Sequence, residues 1–161
     1  MKNCLLVLVL GMAVLCSAAD VNLLDSKWNI YGKKTADQGT VIQKNGQIDC
    51  FSKIPKGMAG VSTAVIFKKP AVGNLVFGMD VKAENAVGTV YNNFCIYMDI
   101  AFADKTNEWG VLCPAANGTY DCKKISQTYK LPKPVTRINF YVLFRNMTGK
   151  ASFRNIYLYN K

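Results

Sequence analysis

Three segments alternate apolar and polar side chains almost without interruption, and this constrains the fold more than any other feature of the chain. In Leu75–Lys82, the residues Leu75, Phe77, Met79 and Val81 share one parity, with Gly78, Asp80 and Lys82 on the other. In Phe94–Phe102, the series Phe94, Ile96, Met98, Ile100 and Phe102 opposes Cys95, Tyr97, Asp99 and Ala101. In Arg137–Arg145, Ile138, Phe140, Val142 and Phe144 oppose Arg137, Asn139, Tyr141, Leu143 and Arg145. A period of two sends neighbouring side chains to opposite faces of a sheet. Each segment therefore reads as a strand with one core face and one wetter face, as in antiparallel sheets.

Further strands are expected at 40–43, 47–51, 62–67, 109–112, 122–131 and 151–159. Turn signals separate them: Asn45-Gly46, Pro55 to Gly57, Pro70 to Asn74, Asn117-Gly118, Pro132 to Pro134, and Thr148-Gly149. No helical periodicity, internal repeat or linker interrupts this pattern. So many short strands in one domain predict an all-β fold, a two-sheet antiparallel β-sandwich of the jelly-roll kind.

The start of the chain obeys different rules. Lys2 precedes an apolar run from Cys4 to Leu15, and Ser17, Ala18 and Ala19 precede Asp20. This is the pattern of a cleaved secretory signal peptide over residues 1–19, too short to span a bilayer. Cleavage after Ala19 removes 19 of the 161 residues, leaving 142 (residues 20–161) as one sandwich domain. It also removes Lys2, so the charge falls from +10 to +9. Of six cysteines, Cys50, Cys95, Cys113 and Cys122 stay. In an oxidising compartment they are expected to form two disulfides, with three connectivities open. Loop closure favours Cys113 with Cys122, which leaves Cys50 with Cys95. The sequons at Asn117 and Asn146 predict glycosylation of a secreted, extracellular glycoprotein.

The chain contains no histidine. That excludes Ser-His-Asp and Cys-His catalytic pairs and any histidine metal site. Of the carboxylates closest in sequence, Asp99 and Asp104 have opposite strand parity, and Asp104 to Glu108 reads as a polar turn. A glycosidase needs two converging carboxyl groups, so no catalytic residues are expected. The cysteine spacing lacks the close pairs of a zinc site, and no metal is predicted. The lysine doublets 33–34, 68–69 and 123–124 are spread over turns and strand ends. They suit an acidic polysaccharide or an anionic surface better than nucleic acid.

The stretch from Asn22 to Tyr159 resembles the jelly-roll carbohydrate-binding modules of the galactose-binding-domain-like group. The landmarks are Asn22-Leu-Leu before Trp28, Ser62-Thr-Ala-Val-Ile-Phe67, and Leu75 to Lys82. Then come Ala103-Asp-Lys-Thr106, the turn Asn117 to Cys122, Leu131-Pro132, Tyr141-Val-Leu143, and Phe153 to Leu158. Cys122 stands where such modules commonly carry a tryptophan. Arg154 and Asn155 follow Phe153 where relatives often carry acids that support a structural calcium, and the sequence does not supply those acids. No cofactor is therefore expected.

The resemblance implies that strands near 62–67, 93–103, 109–112 and 137–145 share one sheet, and those near 75–82, 122–131 and 151–159 the other. The outward series of the first sheet then holds Tyr97, Asp99, Asn139, Tyr141 and Arg145, with Trp109 at its edge. Aromatic rings pack against the C–H face of a sugar, while carboxylate, amide and guanidinium groups hydrogen-bond its hydroxyls. These six residues are the expected ligand-binding set of a secreted, free-standing, non-catalytic, lectin-like protein. An alternative is a secreted interaction or defence protein that meets a protein partner or an anionic surface through its charge. Asp99 with Arg145 is also readable as a simple cross-strand ion pair.

Overall fold

A computed structural model describes residues 21–24 and 27–161. The expected signal peptide and its cleavage site lie outside these residues. No helix occurs among them, so none is long and apolar enough to cross a membrane. The strands are β1 (Asn29–Ile30), β2 (Gln38–Ile42), β3 (Ile48–Ser52), β4 (Met58–Ala71) and β5 (Asn74–Gly88). They continue as β6 (Phe94–Phe102), β7 (Asn107–Pro114), β8 (Gly118–Lys130), β9 (Val135–Arg145) and β10 (Met147–Asn160).

Two five-stranded antiparallel sheets form the sandwich, one in the order β1-β4-β9-β6-β7 and one in the order β2-β3-β10-β5-β8. The division of strands between sheets follows the expectation. The alternating apolar series all point inward: Leu75, Phe77, Met79 and Val81 from one sheet face Phe94, Ile96, Met98, Ile138, Phe140, Val142 and Phe144 from the other, all with 0% exposure. Phe94 meets Phe144 of its own sheet edge-on at 5.2 Å and Phe153 of the opposite sheet at 6.0 Å. Trp28 packs on Phe140 at 6.2 Å.

Polar groups join the two layers at their margins. Thr40 of β2 is buried, and its hydroxyl accepts the Gly60 N–H of β4 at 2.7 Å. Along the opposite margin, the Tyr129 hydroxyl of β8 donates to the Glu108 carboxylate of β7. Burial pushes the Tyr129 phenol well above its usual range, and the hydrogen-bonded carboxylate adds to the rise.

Several details differ from the sequence expectation. β4 continues through Pro70, because its pairing with β9 is interrupted between Ile66 and Ala71 and no ladder donor is needed there. Gly149 lies within β10, and the reversal falls at Asn146, whose φ is 52°. β1 is only two residues long, too short for a period to register in sequence.

The expected disulfides are not formed: Cys50, Cys95, Cys113 and Cys122 are all free thiols. Cys113 belongs to the buried core on β7, whereas Cys122 is exposed on β8 in the other sheet. The short loop between them crosses from layer to layer, so closeness in sequence does not bring the sulfurs together. Cys50 likewise lies in the core on β3, while Cys95 sits on the outward parity of β6 in the other layer.

Burial pushes the Cys50 and Cys95 thiols up to about 12 and the Cys113 thiol up to about 11. Because the thiolate is the reactive form, a brief iodoacetamide pulse on the folded protein is expected to label Cys122 far ahead of the other three, as read by peptide mass spectrometry. Rapid labelling of Cys95 would contradict this burial. Replacing Phe140 by Ala is expected to lower stability by about 3–5 kcal/mol in urea titrations, because the two facing layers cannot collapse into the void.

Candidate functional site

The outward face of the first sheet is built in rows across paired strands. Tyr97 of β6 pairs with Tyr141 of β9, Asp99 with Asn139, and Cys95 with Leu143. On the other side of β6, Asp99 pairs with Trp109 across an irregularity. Gly110, at φ 80°, provides the extra residue, a conformation that favours glycine.

A cavity of about 170 Å³ opens on this face, lined by Tyr31, Tyr97, Asp99, Tyr141, Leu143 and Arg145. Four of the six expected residues therefore meet in one place: Tyr97, Asp99, Tyr141 and Arg145. Asn139 and Trp109 are on the same face but outside the cavity. Asn139 accepts the Arg137 Nε–H at 3.0 Å. Trp109 stands at the sheet edge with 67% of its surface exposed.

Two lining residues escaped the sequence reading. Tyr31 follows β1 and is fixed by its backbone N–H donating to the Gly60 carbonyl at 2.9 Å. Gly32 at φ 86° lies against the Met58 carbonyl, where a Cβ would collide, and so sets the path of the chain past Tyr31. Leu143 has the outward parity but is 1% exposed, which makes it an apolar floor.

The rings form a continuous series. Tyr31 meets Tyr141 edge-on at 6.2 Å, and Tyr141 meets Tyr97 at 5.8 Å. The Arg145 guanidinium lies 5.7 Å over the Tyr97 ring. Its Nε–H is held by the Asn93 side-chain carbonyl at 3.0 Å and the Asn92 backbone carbonyl at 3.2 Å. Asn146 donates to the same Asn93 oxygen at 3.2 Å. Arg145 is thus oriented by the β5–β6 connection and forms no ion pair with Asp99.

That leaves the Asp99 carboxylate without a cation. Its Oδ1 is buried and has no hydrogen-bond partner among the described residues. A buried polar atom left unsatisfied is costly, so an incoming hydroxyl or amine donor has a favourable place to bind. The two carboxylates that follow Asp99 in sequence are occupied elsewhere. Asp104 pairs with Lys133 at 2.7 Å and is held down to about 2, mainly by that contact, while Glu108 is bound to Tyr129. Among the described residues, no cluster of three potential metal ligands occurs.

The asparagines of both sequons are exposed, while Met147 within the second is buried. Asn117 donates to the Gly88 carbonyl at 2.9 Å, and Asn146 sits at the rim of the Arg145 bracket.

Burial raises the Tyr97 phenol, and the neighbouring Asp99 carboxylate raises it further. Tyr141 moves the same way, again chiefly from burial and then from Asp99. The folded state therefore keeps these protons after the unfolded chain has lost them. This stabilisation is fully present below the usual tyrosine range and is lost as pH rises through the elevated folded values. Replacing Tyr97 by Phe is expected to flatten the fall in urea-determined stability at alkaline pH. An unchanged alkaline slope would contradict the shift.

Neither a protein-family model nor a curated protein matches the sequence. Solved structures do. A family 4 carbohydrate-binding module (CBM4) superposes with TM-score 0.52 at 15% identity, covering 84% of this chain and 88% of that one. The Clostridium thermocellum endo-1,4-β-D-xylanase 10B, in its CBM22-1 and GH10 modules complexed with xylohexaose, gives TM-score 0.56 at 14% identity over 88% of this chain. The enzymatically active domain of bacteriophage CBA120 tailspike protein 4 gives TM-score 0.57 at 13% identity over 87%. This chain spans only 27% of the xylanase chain and 21% of the tailspike chain. What is shared is the fold, a jelly-roll β-sandwich.

Proposed function

We propose that this protein is a secreted, non-catalytic glycan binder whose ligand lies on the outer face of β9 and β6. The observation that carries the reading is the joined set of Tyr31, Tyr141 and Tyr97 beside a bracketed Arg145 and an unsatisfied Asp99 oxygen. The rings offer an apolar surface to a sugar ring, and Arg145 and Asp99 supply a donor and an acceptor for its hydroxyls. All but Tyr31 stand on paired strands, so little ordering accompanies binding. Asn139 and Trp109 extend the same face beyond the cavity and are suited to contact further sugar units. Xylohexaose, the ligand in the superposed xylanase structure, is a reasonable first probe. Asn117 and Asn146 are proposed glycosylation sites of the secreted form.

A glycan array at low and high salt tests this. Binding to particular neutral glycans is expected to survive high salt. It is expected to weaken at least tenfold, about 1.4 kcal/mol, in Tyr97→Ala and Tyr141→Ala variants that remain folded. Binding confined to polyanions and lost as salt rises would instead favour a charge-driven interaction protein. Folded protein that binds no glycan would overturn the proposal.

A further inference from the structure

The opposite side of the sandwich carries a second aromatic and polar surface. Tyr157 and Tyr159 both point outward from β10, and their rings stack at 5.1 Å with 22° between planes. Tyr157 pairs with Gly78 of β5. A Cβ at Gly78 would lie 2.5 Å from the Tyr157 hydroxyl and would also strike the Ile125 carbonyl. The missing side chain therefore lets the ring rest on the sheet. The register of β10 shifts between Arg154 and Tyr157, where Asn155 takes a φ of 51°. That shift turns the Asn155 amide toward β5, and its Nδ2 donates to Asp80 Oδ2 at 2.6 Å. Lys124 of β8 pairs with Asp80 across the sheet, and its ammonium lies 5.8 Å over the Tyr157 ring. Lys124 forms no ion pair among the described residues.

These groups surround a cavity of about 500 Å³, lined by Val76, Asp80, Lys124, Asn155, Tyr157 and Tyr159 among others. It is larger than the cavity on the first sheet and contains both signs of charge. The paired rings suit the C–H face of a pyranose. The joined Asp80 carboxylate and Asn155 amide suit adjacent hydroxyls. A cation over the Tyr157 ring, with no ion pair of its own, suits an anionic substituent on the same sugar. We propose that this face is a second glycan site, selective for a sugar that carries a carboxylate. It goes beyond the first-face proposal and stands on different residues. Because the two sites lie on opposite outer faces, one chain can join two polysaccharide strands and gain avidity without new contacts.

NMR titration of the isotope-labelled protein tests this with three probes: an oligogalacturonate, a sulfated heparin-derived oligosaccharide, and xylohexaose. Oligogalacturonate is expected to shift amides around 76–80, 124–126 and 155–159, and to do so equally in Tyr97→Ala. Its affinity is expected to fall at least tenfold in Lys124→Gln and in Tyr159→Ala, with the remaining spectrum confirming the fold. Shifts scattered over the lysine-rich surface, or affinity unchanged in both variants, would overturn the site. Equal or tighter binding of the sulfated probe at these amides would overturn the carboxylate selectivity. Because Tyr97→Ala disables only the first face, failure there with oligogalacturonate still bound at β10 separates the two proposals.

Discussion

Phe94 touches Phe144 within its own sheet and Phe153 across the sandwich, and the positions of the outward side chains depend on this interlock. Each strand around it has only one parity that buries its aromatic and branched residues. A slip of one residue would turn Phe94, Ile96 and Met98 outward and drive Tyr97 and Asp99 into the core. The dry interface therefore sets the register, and the register decides which side chains reach solvent together.

On the first outer face, the consequence is a row of tyrosines beside a carboxylate with one unsatisfied oxygen. Cross-strand pairing places Tyr97 beside Tyr141 and Asp99 beside Asn139. The register sets Arg145 opposite Asn93, six residues before Asp99, and the β5–β6 connection accepts its Nε–H. Arg145 and Asp99 therefore form no ion pair, and the Asp99 Oδ1 is left for an incoming donor. The opposite face has another solution: an irregularity in β10 brings Asn155 to Asp80, and a glycine lets Tyr157 lie flat.

Parity made much of this legible in the sequence. The long alternating segments are read correctly because one buried face imposes a period of two, and Tyr97, Asp99, Tyr141 and Arg145 follow from that count. Tyr31 does not, since a two-residue strand carries no period and its position depends on contacts with β4. Leu143 shows the limit of equating outward with wet, because the surrounding tyrosines and Arg145 cover it. Asn139 and Trp109 have the expected face, but the cavity is defined by where Tyr31 folds over, and that excludes them. The cysteines mislead because separation along a chain says nothing about which layer each residue enters.

The amino-acid sequence by itself determined the sandwich, the two outer series and the absence of histidine chemistry. These depend on local alternation and on residue identity, which need no knowledge of long-range contacts. Only the tertiary structure decided that Cys113 and Cys122 part into different layers, that Arg145 turns to Asn93, and that Tyr31 closes the cavity. It also decided that Tyr157 and Tyr159 gather with Asp80 and Lys124 on the far face. Each of these outcomes rests on pairing between distant strands, where bulges and loop crossings set geometry that no local pattern encodes.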